Sequence, residues 1–206
     1  MIFQTLCVGT FQVNCYMLAS SEARSALIID PGAEAKRIQQ ILSRHRLKTA
    51  FIVNTHGHID HIGCDNDFGV PVYIHKDDVT YLKNFELNLS SMLGSAFSVN
   101  VEIKTLQDGQ MLTLDDMQLE VIHMPGHTPG GIALRMKRPQ DKLVFTGDSL
   151  FALGIGRTDF PGADQKQLLR AIKKNLMTLP DDTQIFPGHG PFSTIGQERR
   201  ANPFLR

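Results

Sequence analysis

Apolar and polar positions change their period along the chain, and the changes mark the elements. Val13-Asn14-Cys15-Tyr16-Met17-Leu18 is mostly apolar, and Ala26-Leu27-Ile28-Ile29 is an aliphatic run closed by the turn signal Asp30-Pro31-Gly32. Both predict strands. From Ala33 to His45 the spacing lengthens. Ile38, Ile41 and Leu42 fall at i, i+3 and i+4 among Lys36, Arg37, Gln39, Gln40 and Arg44, which predicts an amphipathic helix with one buried face. Ala50-Phe51-Ile52-Val53 predicts a buried strand that runs straight into Asn54-Thr55-His56-Gly57-His58. Asp60 is placed to cap a helix starting near His61. Val70 to Ile74 predicts a further short strand, and Asp77 to Asn100 is polar and helix-leaning without a clean pattern.

The second half repeats the style. Gln118 to His123 alternates as a strand does and meets Pro125-Gly126-His127. Ile132 to Met136 and Lys142 to Phe145 predict a strand pair around Pro139-Gln140-Asp141. Leu168, Leu169, Ile172 and Leu176 give Asp164 to Leu176 a helical face, and Thr183 to Phe186 predicts a last strand ending in Pro187-Gly188-His189-Gly190. Strands mixed with flanking helices predict an α/β fold of sheets covered by helices. No linker or low-complexity tract divides the chain, so its 206 residues are expected to form one domain, 1–206.

Composition narrows the function classes. With 42% hydrophobic and 20% charged residues, the chain has globular rather than disordered composition. Lys plus Arg and Asp plus Glu are 21 each, which argues against an electrostatic grip on nucleic acid or an acidic membrane. No apolar run approaches the roughly 18–20 residues of a spanning helix, and Met1 to Cys7 lacks the basic start and cleavage site of a secretory signal. Cys7, Cys15 and Cys64 form no Cys-x-x-Cys pair. They are expected to be buried small hydrophobes in a cytoplasmic protein.

The histidines are where chemistry is expected. Thr55-His56-Gly57-His58-Ile59-Asp60-His61 puts four potential metal ligands at the end of a buried strand. Alternate residues of an extended segment point the same way, so His56 and His58 can face one point with Asp60 close by. His61 points elsewhere, which suits a second ion beside the first. His127, Asp148 and His189 each sit with a glycine at another strand end, where α/β folds build sites. Nitrogen and carboxylate donors without thiolate suit zinc, iron or manganese.

These residues, in this order and with Asp30 after the second strand, resemble the metallo-β-lactamase superfamily, and within it the short glyoxalase II-like (hydroxyacylglutathione hydrolase-like) group. The resemblance runs from about Phe11 to His189. It implies an αββα sandwich: two mixed sheets face to face, helices on both outer faces and metals at one rim. It also implies two divalent ions, zinc foremost. Metal 1 would take His56, His58 and His127, metal 2 would take Asp60, His61 and His189, and Asp148 would bridge them. The implied reaction is hydrolysis of thioesters of 2-hydroxy acids such as S-D-lactoylglutathione by a metal-bridging hydroxide, with Asp60 orienting it. Two divalent ions against Asp60, Asp148 and one hydroxide leave a small net positive charge, which favours an anionic or polarised acyl group.

The resemblance weakens at the substrate. Only a short tail follows His189, where full-length glyoxalase II carries a helical domain that helps to bind glutathione. After Asp148 the chain reads Gly154-Ile155-Gly156-Arg157-Thr158-Asp159-Phe160 in place of that family's Lys and Phe-Tyr. Arg157 keeps a cation there and is the candidate contact for a substrate carboxylate, with an ion pair to Asp159 or Asp164 as the competing role. Gly154 and Gly156 are too close for a dinucleotide fingerprint and are expected to lend flexibility. The alternative is a mononuclear iron persulfide dioxygenase on His56, His127 and Asp148, because persulfide dioxygenases resemble this sequence too. A small-molecule thioester is the expected partner, with neither nucleic acid nor membrane. His75, His123 and His45 are expected to be structural or surface residues.

Overall fold

In the computed structural model, which describes residues 1–206, the apolar runs become the two sheets of a sandwich. The first sheet runs in chain order: β1 (Ile2–Val8), β2 (Val13–Ala19), β3 (Ser25–Ile29), β4 (Lys48–Val53), β5 (Val72–His75) and β6 (Ile103–Leu106). Its first three strands are antiparallel and its last four parallel. The second sheet contains β7 (Met111–Leu114), β8 (Met117–His123), β9 (Ile132–Arg138) and β10 (Leu143–Gly147). A small ribbon follows, β11 (Leu150–Phe151) with β12 (Gly154–Ile155). Then β13 (Gln184–Pro187) and β14 (Ser193–Thr194) complete the second sheet in the order β14-β13-β10-β9-β8-β7. Only the β10–β13 pair is parallel.

Period-two alternation puts one face of each strand between the sheets and the other under a helix. Tyr16, Leu18, Leu27, Ile29, Leu119, Leu134, Phe145 and Phe186 fill the middle layer. The opposite faces, with Met17, Ile28 and Ile52, pack on Ile38 and Leu42 of α1 (Ala35–Arg44). α2 (Ile59–Ile62) is one short turn at the rim. On the other side Ala133, Val144 and Ile185 meet α3 (Gln165–Ala171), its π-helical continuation Ile172–Leu176, and α4 (Ile195–Ala201). This is the αββα sandwich expected from the sequence.

Several local expectations are corrected. Asp60 does not cap a helix; it lies in the first turn of α2, whose N-cap is His58. Residues 77–100 give only 3-10 turns, Lys76–Lys83 and Ser90–Leu93. Cys7 is exposed, because it lies on the edge strand β1, whereas Cys15 and Cys64 are buried. His75 ends β5 with 2% of its surface exposed, so it is no surface residue. It stacks on His123, with ring centroids 4.0 Å apart.

Candidate metal centre

The parallel strands β4, β10 and β13 end at the same rim, and the segments that follow them converge. The placing of four ligands between His56 and His61 works because the chain leaves β4 extended and then turns into α2. His58 Nδ1 lies 3.0 Å from His127 Nε2. His61 Nε2 lies 3.3 Å from His189 Nε2. Asp148 sits between the groups, 3.4 Å from His61, 3.6 Å from His127 and 3.5 Å from His189. Asp60 Oδ2 is 3.3 Å from His189 Nε2. All seven candidate ligands expected from the sequence meet here. Three donor triads are compact enough to hold an ion: His56, His58 and His127; Asp60, His61 and His189; and His56, His61 and Asp148.

Ring orientation is fixed from behind. His61 Nδ1–H donates to Asp30 at 2.9 Å, and the same carboxylate accepts from the Thr55 amide and hydroxyl, each at 2.7 Å. The Thr55 hydroxyl, its proton given to Asp30, is 3.2 Å from His56 Nδ1. His127 Nδ1–H donates to the Arg157 carbonyl at 2.7 Å, and His189 Nδ1–H to the Phe11 carbonyl at 2.9 Å. Carbonyls and carboxylates only accept, so each facing nitrogen carries a proton and Nε2 is the atom turned toward the cluster. His56 Nε2 and Asp148 Oδ1 are buried and make no hydrogen bond within the protein. Buried polar atoms are rarely left so, and these two suit a bound cation.

Glycine makes the crowding possible. A Cβ on Gly188 would lie 2.2 Å from Asp148 Oδ1, and one on Gly156 would lie 1.8 Å from the Asp148 carbonyl. Gly156 therefore serves close backbone approach rather than the flexibility expected for it.

Several supports were not legible in the sequence. Asp78 is fully buried and accepts from the Gly57 amide (3.1 Å), the Thr128 hydroxyl (2.7 Å) and the Gly130 amide (2.6 Å). It thereby ties the His56–His58 loop to the His127 loop. Asn14 Nδ2 and the Tyr16 hydroxyl donate to the Pro187 carbonyl beside His189, at 3.0 and 2.6 Å. The one available signal was a pair of polar groups inside the apolar β2 run. Glu198 accepts from the Leu153 amide at 2.8 Å, and Asn202 donates to the Gly154 carbonyl at 3.0 Å, so α4 clamps the ribbon after Asp148.

The ligands titrate as a coupled set. Burial pushes His61 down, but Asp148, Asp60 and Asp30 outweigh it and lift it to about 10. Burial would raise Asp60, yet His61 and His189 hold it well below the usual carboxylate range. His56 and His58 are pushed well below the ordinary histidine value, first by burial and then by neighbouring imidazoles. An ion must therefore displace a proton from His61. In protein stripped of metal, His61 contributes stability that is complete below its ordinary value of 6.5 and lost as pH rises through about 10. Metal binding near neutral pH is expected to release about one proton or slightly more. Calorimetry in buffers of different ionisation heat reads that number, and zero release would show His61 already neutral.

A cavity of about 480 Å³ opens over the cluster. That is ample for a small-molecule ligand. Arg157 is on its wall, but its guanidinium forks onto Asp159 (3.0 and 2.8 Å) and lies 4.2 Å from the Phe160 ring centre. The competing role, an ion pair with Asp159, is the one the structure displays.

A four-layer sandwich with a paired His/Asp cluster at one rim defines a metal-dependent enzyme class. The family model of the metallo-beta-lactamase superfamily matches residues 8–189, and the chain belongs to that superfamily of divalent-metal hydrolases. It is 39% identical to hydroxyacylglutathione hydrolase GloC of Haemophilus influenzae over 206 residues, covering 96% of this chain and 95% of that one. Among solved structures it is similar to BLEG-1 B3 metallo-beta-lactamase, at TM-score 0.91 and 36% identity with 99% of each chain covered. TTHA1623 in a di-iron-bound form superposes at TM-score 0.85 and 33% identity, covering 98% of this chain and 100% of that one. No helix is long and apolar enough to cross a membrane.

Proposed function

We propose that this protein is a dinuclear metal hydrolase cleaving thioesters of 2-hydroxy acids, with S-D-lactoylglutathione as the representative substrate. The carrying observation is the convergence of seven donors in two adjoining groups that share Asp148. One ion is assigned to His56, His58 and His127, the other to Asp60, His61 and His189, with Asp148 between. Zinc fits this donor set, as do iron and manganese, and the similarity to a di-iron-bound protein keeps iron in view. The likeness to a hydroxyacylglutathione hydrolase supports a thioester substrate.

Divalent ions held there supply Lewis-acid polarisation of a carbonyl and a water acidified to a pKa of about 7. The chain's own residues do the positioning. Asp60, on the pocket wall beside His189, accepts from and orients the attacking water. The Nδ1–H bonds to Asp30, Arg157 and Phe11 hold the rings against rotation. The leaving thiolate, of pKa about 8.5, needs little help from an acid. None is offered, since His123 is spent on the Pro129 carbonyl and stacked on His75.

Elemental analysis of protein purified without added metal, with S-D-lactoylglutathione hydrolysis assayed on the same sample, tests this. About two ions per chain with thioester cleavage is expected. One iron per chain, no cleavage, and oxygen uptake with glutathione persulfide would overturn it and leave an iron dioxygenase on His56, His127 and Asp148.

A further inference from the structure

Away from the metal ligands, the walls of the cavity over the metal centre are largely apolar. Phe11, Leu89, Met92, Leu93 and Phe160 supply most of that wall. Its one Lys or Arg, Arg157, is already neutralised by Asp159. Glutathione carries two carboxylates, and burying either without a partner is costly.

The apolar groups are presented deliberately. Met92 is 72% exposed, and Leu93 and Phe11 are each 52% exposed. Large apolar side chains grouped on one exposed rim mark a binding surface. The turn that carries two of them, Ser90–Leu93, is pinned at its base. Asn88 donates to the carbonyls of Tyr81 (3.0 Å) and Phe97 (3.1 Å) and accepts from the Ser90 amide (2.9 Å). Leu89 enters that turn at φ 67°, a left-handed conformation unfavourable for a leucine. A strained, anchored turn that holds a methionine and a leucine toward a pocket is a built wall rather than a loose loop.

We propose that the thiol half of the substrate is apolar and is held by contact with Phe11, Leu89, Met92 and Leu93, not by ion pairing. This rests on the thioesterase reading above. A 2-hydroxy acyl group of three carbons is consumed at the metal cluster, so the remaining cavity falls to the thiol. In the reaction, water gives its oxygen to the acyl carbon, the carbon–sulfur bond breaks and the thiolate leaves with the bonding pair; of the water's two protons one ends on the thiol and the other, lost as the new acid ionises, in solvent. The wall then holds the departing sulfur's substituent throughout.

The test uses the metal-loaded full chain and three S-D-lactoyl thioesters: of benzyl mercaptan, of N-acetylcysteamine and of glutathione. The benzyl ester is expected to exceed the N-acetylcysteamine ester in kcat/KM by about tenfold or more, and the glutathione ester is expected not to exceed it. Met92→Lys, at an exposed position, is expected to erase the benzyl advantage and raise the glutathione ester. A glutathione ester tenfold better than the benzyl ester, with kcat/KM falling as salt rises, would overturn the proposal. Calorimetric binding of benzylthioacetate and S-(carboxymethyl)glutathione separates the two readings. Cleavage of no thioester with tighter benzylthioacetate binding would sink the thioesterase and leave the apolar wall. Tighter S-(carboxymethyl)glutathione binding would sink the wall, whatever is cleaved.

Discussion

Asp148→Asn is expected to lower kcat/KM for S-D-lactoylglutathione by about a thousandfold, mostly in kcat. The substitution keeps volume and removes charge. Asp148 is the only carboxylate within 3.6 Å of histidines from both donor groups. Without its charge, two divalent ions would face each other across neutral imidazoles and an amide, and one ion is expected to be lost. The fold is expected to survive, because Asp148 Oδ1 makes no hydrogen bond within the protein that the amide would break. Elemental analysis, separate kcat and KM, and a melting curve distinguish these effects. Two retained ions with wild-type turnover would show that Asp148 does not link the groups.

The metal cluster was legible because its residues carry their chemistry in local spacing. His56, His58, Asp60 and His61 follow an apolar run so closely that geometry alone turns them to one place. His127, Asp148 and His189 share the strand-then-glycine setting, and the glycines turn out to be steric requirements. The strands of the middle layer were legible for a similar reason: burial imposes alternation. What failed to show was anything defined by contact across the chain. Asp78 looks like any helix-leaning acid until the fold places it against Gly57 and Gly130. The edge strand β1 and the short β14 bury too little for a pattern to register. Met92 and Leu93 were hidden differently. They lie in a stretch with neither helical nor strand period, because its 3-10 turns serve the cavity rather than the core. Arg157 was readable as a cation but not as a paired one, since the pairing depends on the backbone turn that brings Asp159 beneath it.

Asp78→Ala is expected to destabilise the protein by about 3–5 kcal/mol, from the loss of a buried, fully bonded carboxylate. Three donors lose their acceptor together: two amides and a hydroxyl, from loops far apart in sequence. Gly130 and Gly57 are packed so closely on this segment that water cannot readily enter. A Cβ on Gly130 would sit 2.5 Å from the Asp78 amide, and one on Gly57 would sit 2.3 Å from Tyr81 Cβ. For a chain of this length, that loss lowers Tm by roughly 6–20 °C. A second effect should separate from the first. Asp78 touches no ion, yet it holds both loops of the His56, His58 and His127 group in register. Occupancy of that group should therefore fall before the Asp60, His61 and His189 group is affected. Metal titration of Asp78→Asn, which keeps the side chain's size and one acceptor, reads this apart from folding. An expected tenfold to hundredfold weakening at one ion, with the other unchanged, is the signature of a positioning residue. Equal weakening of both ions in step with Tm would reduce Asp78 to a purely structural role.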